Sequence, residues 1–286
     1  MIELNRLYLG DCIEVMRQIP DNYVHLIVTS PPYNVGMDYR KVNDRKAYDE
    51  YLQFMERCLR ECYRVLIKGG RIAINLPASI LQSSYSRMAY LSLDIVLIMR
   101  KVGFIDREWI TWQKMIDGSV PGKSTSWGSW CSPSQPYLRD AGEYIIVMDK
   151  EGHKRTDKSG KNDITREEFL RFTQNIWVIT PENSHPRKHH PAPYPEELVY
   201  RLIKVYTWQG DIVLDPFVGS GTTAVVCKKT GRDYIGIDIN EDYIKYAEKR
   251  IKSIVFEEQD GLKVSDNKDG RICQLNLFRN TKNKKS

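Results

Sequence analysis

The sequence predicts an α/β fold in which helices cover both faces of a mostly parallel sheet. Short runs of β-branched and aliphatic residues, typical of buried parallel strands, alternate along the chain with longer amphipathic segments. The 286 residues, 41% hydrophobic and 28% charged, are enough to bury one large core. This composition excludes a disordered or fibrous protein.

Four segments are continuously apolar, as buried strands are, and each ends in a loop of small, polar or proline residues. They are 25–29, 71–76, 211–214 and 234–237. Five segments carry apolar residues at helical spacing. They are 47–66, 91–102, 195–207, 222–230 and 241–251. Residues 141–148 follow a polar loop and predict a further strand, antiparallel and at the edge of the sheet.

Composition also limits the classes of function. The longest mostly apolar run, 90–99, is too short to span a bilayer, and no leader of basic and then apolar residues is present, so we expect a cytoplasmic protein. The six cysteines form no CxxC pair, and the histidines at 185, 189 and 190 have no cysteine or carboxylate at ligand spacing. We therefore expect no disulfide framework and no metal. Forty-three Lys+Arg against 37 Asp+Glu are consistent with a polyanionic partner.

The strand at 211–214 runs directly into the sequence DPFVGSGTT at 215–223. Gly219 and Gly221 allow a tight turn and a close approach to a ligand, and the following helix supplies unpaired N–H groups. The next strand ends in Asp238, a carboxylate suited to a ribose diol. The third glycine of the dinucleotide fingerprint is missing, so the pattern favours a mononucleoside cofactor. A tight turn with a helix-capping Asp238 is the alternative.

A second motif, Ser30-Pro31-Pro32-Tyr33, follows the strand at 25–29, at the sheet edge where open α/β proteins bind ligands. The two prolines stiffen the loop and remove two N–H donors, which leaves carbonyl groups and the Ser30 hydroxyl as acceptors. Tyr33 offers a flat face on which a heterocycle can stack. These residues favour a pocket for an amino group on a planar base, and the alternative is a proline turn with a core tyrosine.

The motifs at 30–33 and 215–222 resemble the catalytic and cofactor motifs of the S-adenosylmethionine-dependent DNA amino-methyltransferases, which modify cytosine N4 or adenine N6. Their order, with a variable stretch between them, is similar to the permuted β-group of that family. The segments 9–12, 175–177 and 190–198 extend the resemblance, which covers 7–251. It implies a Rossmann-like methyltransferase fold with an inserted target-recognition region.

The resemblance implies four parts of the chain, beginning with a catalytic half at 1–115. A variable target-recognition region follows at 116–175, with the edge strand at 141–148. The cofactor-binding half is 176–255, and 256–286 is a C-terminal extension with a basic tail.

The resemblance also assigns residues to S-adenosyl-L-methionine. The glycine motif is expected beside the methionine part, Asp238 at the ribose, and Asp11 with the backbone of Cys12 at the adenine edge. The expected contacts are Asp11, Cys12, His190, Pro191, Asp215, Phe217, Gly219, Gly221, Thr222, Thr223 and Asp238. Tyr194 stands where many members carry lysine or phenylalanine, so the contact to the cofactor carboxylate stays open.

The target base is expected in a pocket formed by Ser30, Pro31, Pro32 and Tyr33, after it has been flipped out of the duplex. Direct in-line transfer needs placement and hydrogen-bond acceptors more than acid–base groups. Carbon-5 methylation of cytosine needs a cysteine nucleophile, which follows a proline in the enzymes that use it, and no Pro-Cys pair exists here. In the resembled family, serine at the first position of this motif is commoner among the cytosine-N4 enzymes and aspartate among the adenine-N6 enzymes. The resemblance at Ser30 therefore favours cytosine N4 over adenine N6, and both targets stay open.

Double-stranded DNA is the expected partner, read by the variable region. Six basic residues are expected at the DNA. They are Arg139, Lys154, Arg155, Lys158, Lys161 and Arg166. The protein would act as a monomer or homodimer, as the modification half of a restriction–modification pair with a separate endonuclease. An RNA or protein methyltransferase and a non-catalytic relic are alternatives; the former usually carry asparagine at the position of Ser30.

Overall fold

The computed structural model describes residues 2–36, 46–82, 87–114, 129–136, 141–157, 160–181 and 194–254, and these belong to one compact unit, 1–254. Its helices are α1 (Cys12–Met16), α2 (Tyr48–Val65), α3 (Leu91–Val102), α4 (Arg166–Phe172), α5 (Glu196–Tyr206), α6 (Thr222–Thr230) and α7 (Glu241–Lys252). Its strands are β1 (Arg6–Leu9), β2 (Val24–Thr29), β3 (Leu66–Leu76), β4 (Ile80–Gln82), β5 (Arg87–Ala89), β6 (Ile105–Gln113), β7 (Gly142–Asp149), β8 (Ile176–Val178), β9 (Ile212–Asp215) and β10 (Asp233–Asp238).

Eight strands form one sheet in the order β1-β10-β9-β2-β3-β7-β6-β8. The first five are parallel to one another, and β7 runs antiparallel to both of its neighbours, β3 and β6. A separate hairpin joins β4 and β5. The predicted α/β fold with a mostly parallel sheet is thereby confirmed.

Both faces of the sheet are buried, as the alternation of side chains along β2 shows. Ile27 lies in a cluster with residues of α1, α2 and α3, whereas Leu26 and Val28 lie in a second cluster with residues of α5, α6 and α7. All three side chains are at most 2% exposed. This two-sided burial explains why β2 is continuously apolar in the sequence.

The predicted strand at 141–148 is present as β7 and is antiparallel, but its predicted position at the edge is wrong. β6 covers its outer side and pairs with it from Ile105 to Gln113. Only Ile110 and Trp112 of β6 are fully buried, because this strand is covered less completely than β2. Because β6 contains several charged residues, it has no continuous apolar run by which it could be predicted from the sequence.

The sheet has a switch point between β9 and β2. The chain leaves β2 through α2 toward β3 on one side, and leaves β9 through α6 toward β10 on the other. Loops that diverge in this way open a crevice at the carboxyl ends of the two strands. Both predicted motifs follow directly on these ends. Among the described residues, no helix is long and apolar enough to cross a membrane.

Candidate active site

A hydrogen bond of 2.8 Å from Thr29 Oγ1 to Asp215 Oδ1 joins the ends of β2 and β9. Asp215 Oδ1 also accepts from the backbone N–H of Phe217. Its other oxygen accepts from the Tyr194 hydroxyl at 2.7 Å and from Thr223 Oγ1 at 2.6 Å. Burial raises the pKa of Asp215, while these donors oppose the rise. The carboxylate thus ties both motif loops and the start of α5 to one point.

These contacts commit the Asp215 carboxylate to the fold, so the predicted contact of Asp215 with a cofactor could be made only by its backbone. A carboxylate offers about four lone-pair positions, and all four are used inside the protein. Asp215 instead positions the loop that follows it. The Tyr194 hydroxyl, bonded to Asp215 and within 2.5 Å of Thr223 Oγ1, belongs to the same network.

The glycine loop packs closely against its surroundings. Gly219 and Gly221 have φ of 49° and 82°, values that L side chains rarely adopt. A Cβ on Gly221 would lie 2.6 Å from the Cβ of Ala247 in α7, so the loop has room only for glycine there. The backbone N–H of Val218 donates to Ile237 of β10 at 2.9 Å, which fixes the loop beside the end of that strand.

The residues of this loop that were predicted to bind the cofactor differ in burial. Thr222 and Thr223 are buried, and their hydroxyls bond Arg250 and Asp215 within the protein. Phe217 is half-buried, and its ring lies 6.3 Å from that of Phe54 in an edge arrangement. The threonines therefore have their side chains committed to the fold, and a ligand at the start of α6 meets the backbone of the loop.

Asp238 ends β10 beside this loop. Its Oδ2 accepts from the N–H of Gly219 at 2.9 Å and its Oδ1 from the N–H of Asn240 at 2.8 Å. Burial raises the pKa of Asp238 to about 6. The bonds to this half-buried carboxylate come from backbone N–H groups, and it keeps acceptor capacity for a hydroxyl group. These acceptor oxygens fit the hydroxyl groups of a ribose.

Asp11 and Cys12 lie next to Asp238, because β1 is paired with β10 and the N–H of Gly10 donates to the Asp238 carbonyl at 2.9 Å. The exposed carboxylate of Asp11 caps α1 through the N–H of Ile13 at 2.8 Å. The thiol of Cys12 is buried and contacts Cys58, and this contact together with burial raises its pKa. Only the backbone of Cys12 remains for a ligand, and its contact with an adenine edge stays a prediction.

The loop Ser30–Tyr33 leaves the neighbouring strand β2, with Pro31 buried and Ser30, Pro32 and Tyr33 half-buried. Ser30 Oγ lies 2.8 Å from the Tyr33 hydroxyl, which accepts from Asn75 Nδ2 at 2.9 Å. The Tyr33 ring is thereby held at its hydroxyl end beside the carboxyl edge of β3. A serine hydroxyl and an aromatic face stand together here, the combination that binds an amino group on a planar base.

Three residues beside this loop are not predicted from the sequence, namely Asn75 at the end of β3, Glu143 at the start of β7 and Lys114 after β6. Asn75 Nδ2 donates to Glu143 Oε2 at 2.6 Å, and Glu143 forms an ion pair with Lys114. The signal that could have revealed Asn75 is its polar side chain near the end of a predicted buried strand, at the ligand edge of the sheet.

The structure corrects part of the predicted DNA surface. Arg155 is 7% exposed and donates to the buried carboxylate of Asp211 at 2.5 and 3.1 Å, so it is not available to a phosphate. Asp211 lies just before β9, at the amino ends of the parallel strands, whereas Asp215 lies at their carboxyl ends. Lys154 and Lys161 are exposed, but their backbones contact Gly69 and Gln209, respectively. They lie on the side of the sheet where Asp211 lies, away from the carboxyl ends of the parallel strands.

Of the other predicted residues, Arg166 is exposed at the start of α4. Arg139, Lys158, His190 and Pro191 lie outside the described residues, as does most of 116–140. Within the described ranges, no group of three or more His, Cys, Asp or Glu residues could hold a metal ion.

Comparison with known proteins agrees with this geometry. Residues 24–249 match the model of a protein family described as DNA methylase. Type II methyltransferase M.HpaI of Haemophilus parainfluenzae is 34% identical over 258 residues, 87% of this chain and 74% of the relative. DNA adenine methyltransferase YhdJ of Escherichia coli K12 is 29% identical over 95% of this chain and 91% of its own.

Solved structures show the same relationship. A DNA modification methylase of Thermus thermophilus, TTHA0409, in complex with S-adenosyl-L-methionine, is 29% identical with a TM-score of 0.66, over 87% of this chain and 97% of its own. The cytosine-N4-specific PvuII DNA methyltransferase shares the fold at 21% identity, with a TM-score of 0.68 over 87% of both chains. On the match to the family model and the identity to M.HpaI, this chain belongs to the DNA methylase family.

Proposed function

We propose that this DNA methylase transfers the methyl group of S-adenosylmethionine to the N4 amino group of cytosine in double-stranded DNA. The observation that carries the proposal is the hydrogen bond between Thr29 and Asp215, because it joins the Ser30–Tyr33 loop to the glycine loop. A base-binding pocket and a nucleoside-binding loop thus share one crevice. Methyl transfer requires this arrangement, since both reactants must be held in line.

The residues at the crevice fit the cofactor. Asp238 is a half-buried carboxylate with acceptor capacity for a ribose hydroxyl, and the glycine loop presents backbone beside it. The exposed carboxylate of Asp11 and the backbone of Cys12 stand next to Asp238, where the adenine edge would lie. S-adenosylmethionine supplies a methyl group on a positively charged sulfur, which is already strongly electrophilic.

The protein's own contribution is to bind and orient the target. An exocyclic amino nitrogen is a poor nucleophile because its lone pair is delocalised into the ring. The Ser30 hydroxyl and the Pro31 carbonyl are acceptors that would draw the N–H bonds out of the ring plane and stabilise positive charge on the nitrogen. The Tyr33 face would offset part of the cost of flipping the nucleotide, a few kcal/mol.

Adenine N6 is the second candidate target. Ser30 in the first position of the motif supports cytosine, whereas the name of the YhdJ relative, a DNA adenine methyltransferase that matches 95% of this chain, supports adenine. Both bases present an amino group on a planar ring, so the same pocket chemistry serves either. The proposal includes a separate restriction endonuclease as the functional partner.

Product analysis tests the proposal. The purified protein is incubated with S-adenosylmethionine and mixed-sequence duplex DNA, and the DNA is digested to nucleosides for mass spectrometry. N4-methylcytosine is the expected product. N6-methyladenine would support methyl transfer to DNA but overturn the inference of cytosine from Ser30. DNA without a new methyl group would overturn the proposed function.

A further inference from the structure

A chain of polar contacts leads from the target pocket to a carboxylate on a distant part of the sequence. Ser30 Oγ lies 2.8 Å from the Tyr33 hydroxyl, and that hydroxyl lies 3.3 Å from Glu143 Oε2. Asn75 Nδ2 donates to both of these oxygens, at 2.9 Å to Tyr33 and 2.6 Å to Glu143. Glu143 is 15% exposed and forms an ion pair with Lys114.

The carboxylate sets the direction of the hydrogen bonds in this chain. The Glu143 carboxylate, which is paired with Lys114, can only accept, so the single Tyr33 proton is drawn toward Glu143 Oε2 and the backbone carbonyl of Asn75, each at 3.3 Å. The opposite arrangement would turn the Tyr33 lone pairs toward the negative charge. With its proton used in this way, the Tyr33 oxygen accepts from Asn75 and also from Ser30.

The Ser30 oxygen is then left as an acceptor toward the crevice. An acceptor is what the reaction needs, because it binds an N–H of the target amino group and leaves the nitrogen lone pair free to attack. A Ser30 proton pointing into the crevice would instead bind that lone pair and compete with methyl transfer. Negative charge in a partly buried network acts strongly on such orientations.

We propose that Glu143 is a positioning residue that, through Tyr33, keeps the Ser30 hydroxyl as a hydrogen-bond acceptor for the target amino group. This inference rests on the proposed function, since it requires an amino group in the pocket. Asn75 supports it by holding the two oxygens together, and Lys114 by forming an ion pair with the Glu143 carboxylate. Glu143 itself makes no contact with the base in this account.

Matched substitutions separate charge from packing. Glu143→Gln keeps the size of the side chain and adds a donor, whereas Glu143→Asp is shorter and keeps an acceptor-only carboxylate. Tyr33→Phe keeps the aromatic face and removes only the hydroxyl. Glu108→Gln is the control for loss of one carboxylate. Glu108 is exposed and lies near the start of β6, whereas Glu143 pairs with residues near its end.

The rate constant of a single turnover on duplex DNA is measured, with the Kd for S-adenosylmethionine and the Tm of each variant. We expect Glu143→Gln and Tyr33→Phe each to lower the rate on the order of tenfold or more, with the cofactor Kd unchanged. Glu143→Asp should retain more activity than the isosteric Glu143→Gln, and Glu108→Gln should match the wild type. The double variant should lose no more than Tyr33→Phe alone, because both changes break one chain.

Three results would overturn the inference while the proposed function stands. In each, the wild type methylates DNA, and either Glu143→Gln and Tyr33→Phe keep its rate, or their effects multiply, or Glu143→Asp is the more damaged of the two Glu143 variants. If the wild type transfers no methyl group to DNA, the proposed function fails first and the role of Glu143 falls with it.

Discussion

Thr29 and Asp215, 186 residues apart in the sequence, are joined by a buried hydrogen bond of 2.8 Å. The pair connects the last residues of two neighbouring parallel strands, at the point where the chain turns to opposite sides of the sheet. Because the Ser30–Tyr33 loop and the glycine loop begin immediately after these residues, the relative position of the two loops depends on this contact.

Asp215→Asn should destabilise the protein by about 2–4 kcal/mol, because the amide nitrogen cannot accept and leaves two buried hydroxyl donors without their acceptor. Urea unfolding followed by circular dichroism measures the effect. Asp242→Asn, an exposed change in the first turn of α7, should shift the free energy of unfolding by no more than about 0.5 kcal/mol. Equal stability of the two variants would contradict the assigned role of Asp215.

Gly221→Ala should cost more stability than Gly210→Ala. The two glycines have nearly equal φ, 82° and 83°, so the backbone strain of alanine, about 1–2 kcal/mol, is the same. A Cβ at 221 would meet Ala247 at 2.6 Å, whereas nothing lies within 4 Å of one at 210. Gly221→Ala should therefore lower the Tm more than Gly210→Ala does. It alone should raise the Kd for S-adenosylmethionine. Matching values would mean that the loop can move away from α7.

Cofactor affinity should fall as the pH falls through about 6, because burial raises the pKa of Asp238 to that value. The ionised carboxylate accepts from the ribose hydroxyls, and protonation below pH 6 removes that form, so Kd should rise toward tenfold per pH unit. The stability effect has the opposite sign: ionising Asp238 in the fold is unfavourable, so its contribution to stability declines as the pH rises from about 4 to 6.

Calorimetric titration from pH 5 to 8 measures the affinity. Asp238→Asn should bind more weakly at pH 8 and show a flatter profile. A wild-type Kd that does not change over this range would contradict the contact between Asp238 and the cofactor.

Much of the fold is readable from the sequence, because the buried strands and amphipathic helices are defined by local patterns. The predicted helix at 222–230 has the observed bounds, and 47–66 differs from Tyr48–Val65 by one residue at each end. The position of β7 was not readable, since it depends on β6, a strand with few buried residues. The pairing of strands is a tertiary property that single-strand patterns do not encode.

The candidate site shows the same division. Ser30 and the glycine loop are recognisable because each motif is contiguous, whereas Glu143 lies 110 residues beyond its partner Tyr33. Asn75 lies 42 residues beyond Tyr33, and both partners lie on other strands. Basic residues mislead for the related reason that charge alone does not reveal a partner. Arg155 is paired with Asp211, 56 residues away.

Arg155→Gln should therefore lower stability rather than DNA affinity. It would leave the carboxylate of Asp211, 0% exposed, without its main cation, at a cost of about 3–5 kcal/mol. Lys154→Gln, the exposed neighbour, should leave the free energy of unfolding within about 0.5 kcal/mol. Urea unfolding measures both variants, and DNA binding is measured where each is folded. If Arg155→Gln is as stable as the wild type but binds DNA more weakly, the result would support the predicted contact of Arg155 with a phosphate and contradict its structural role.

The most direct test of the account is methyl transfer from labelled S-adenosylmethionine to duplex DNA, RNA and peptide by the wild type, Ser30→Ala and Tyr33→Ala. We expect label in duplex DNA alone for the wild type, and loss of transfer in both variants with the cofactor Kd unchanged. Label in RNA or peptide and not in DNA would contradict it, and full turnover by either variant would show that the Ser30–Tyr33 loop does not bind the target base.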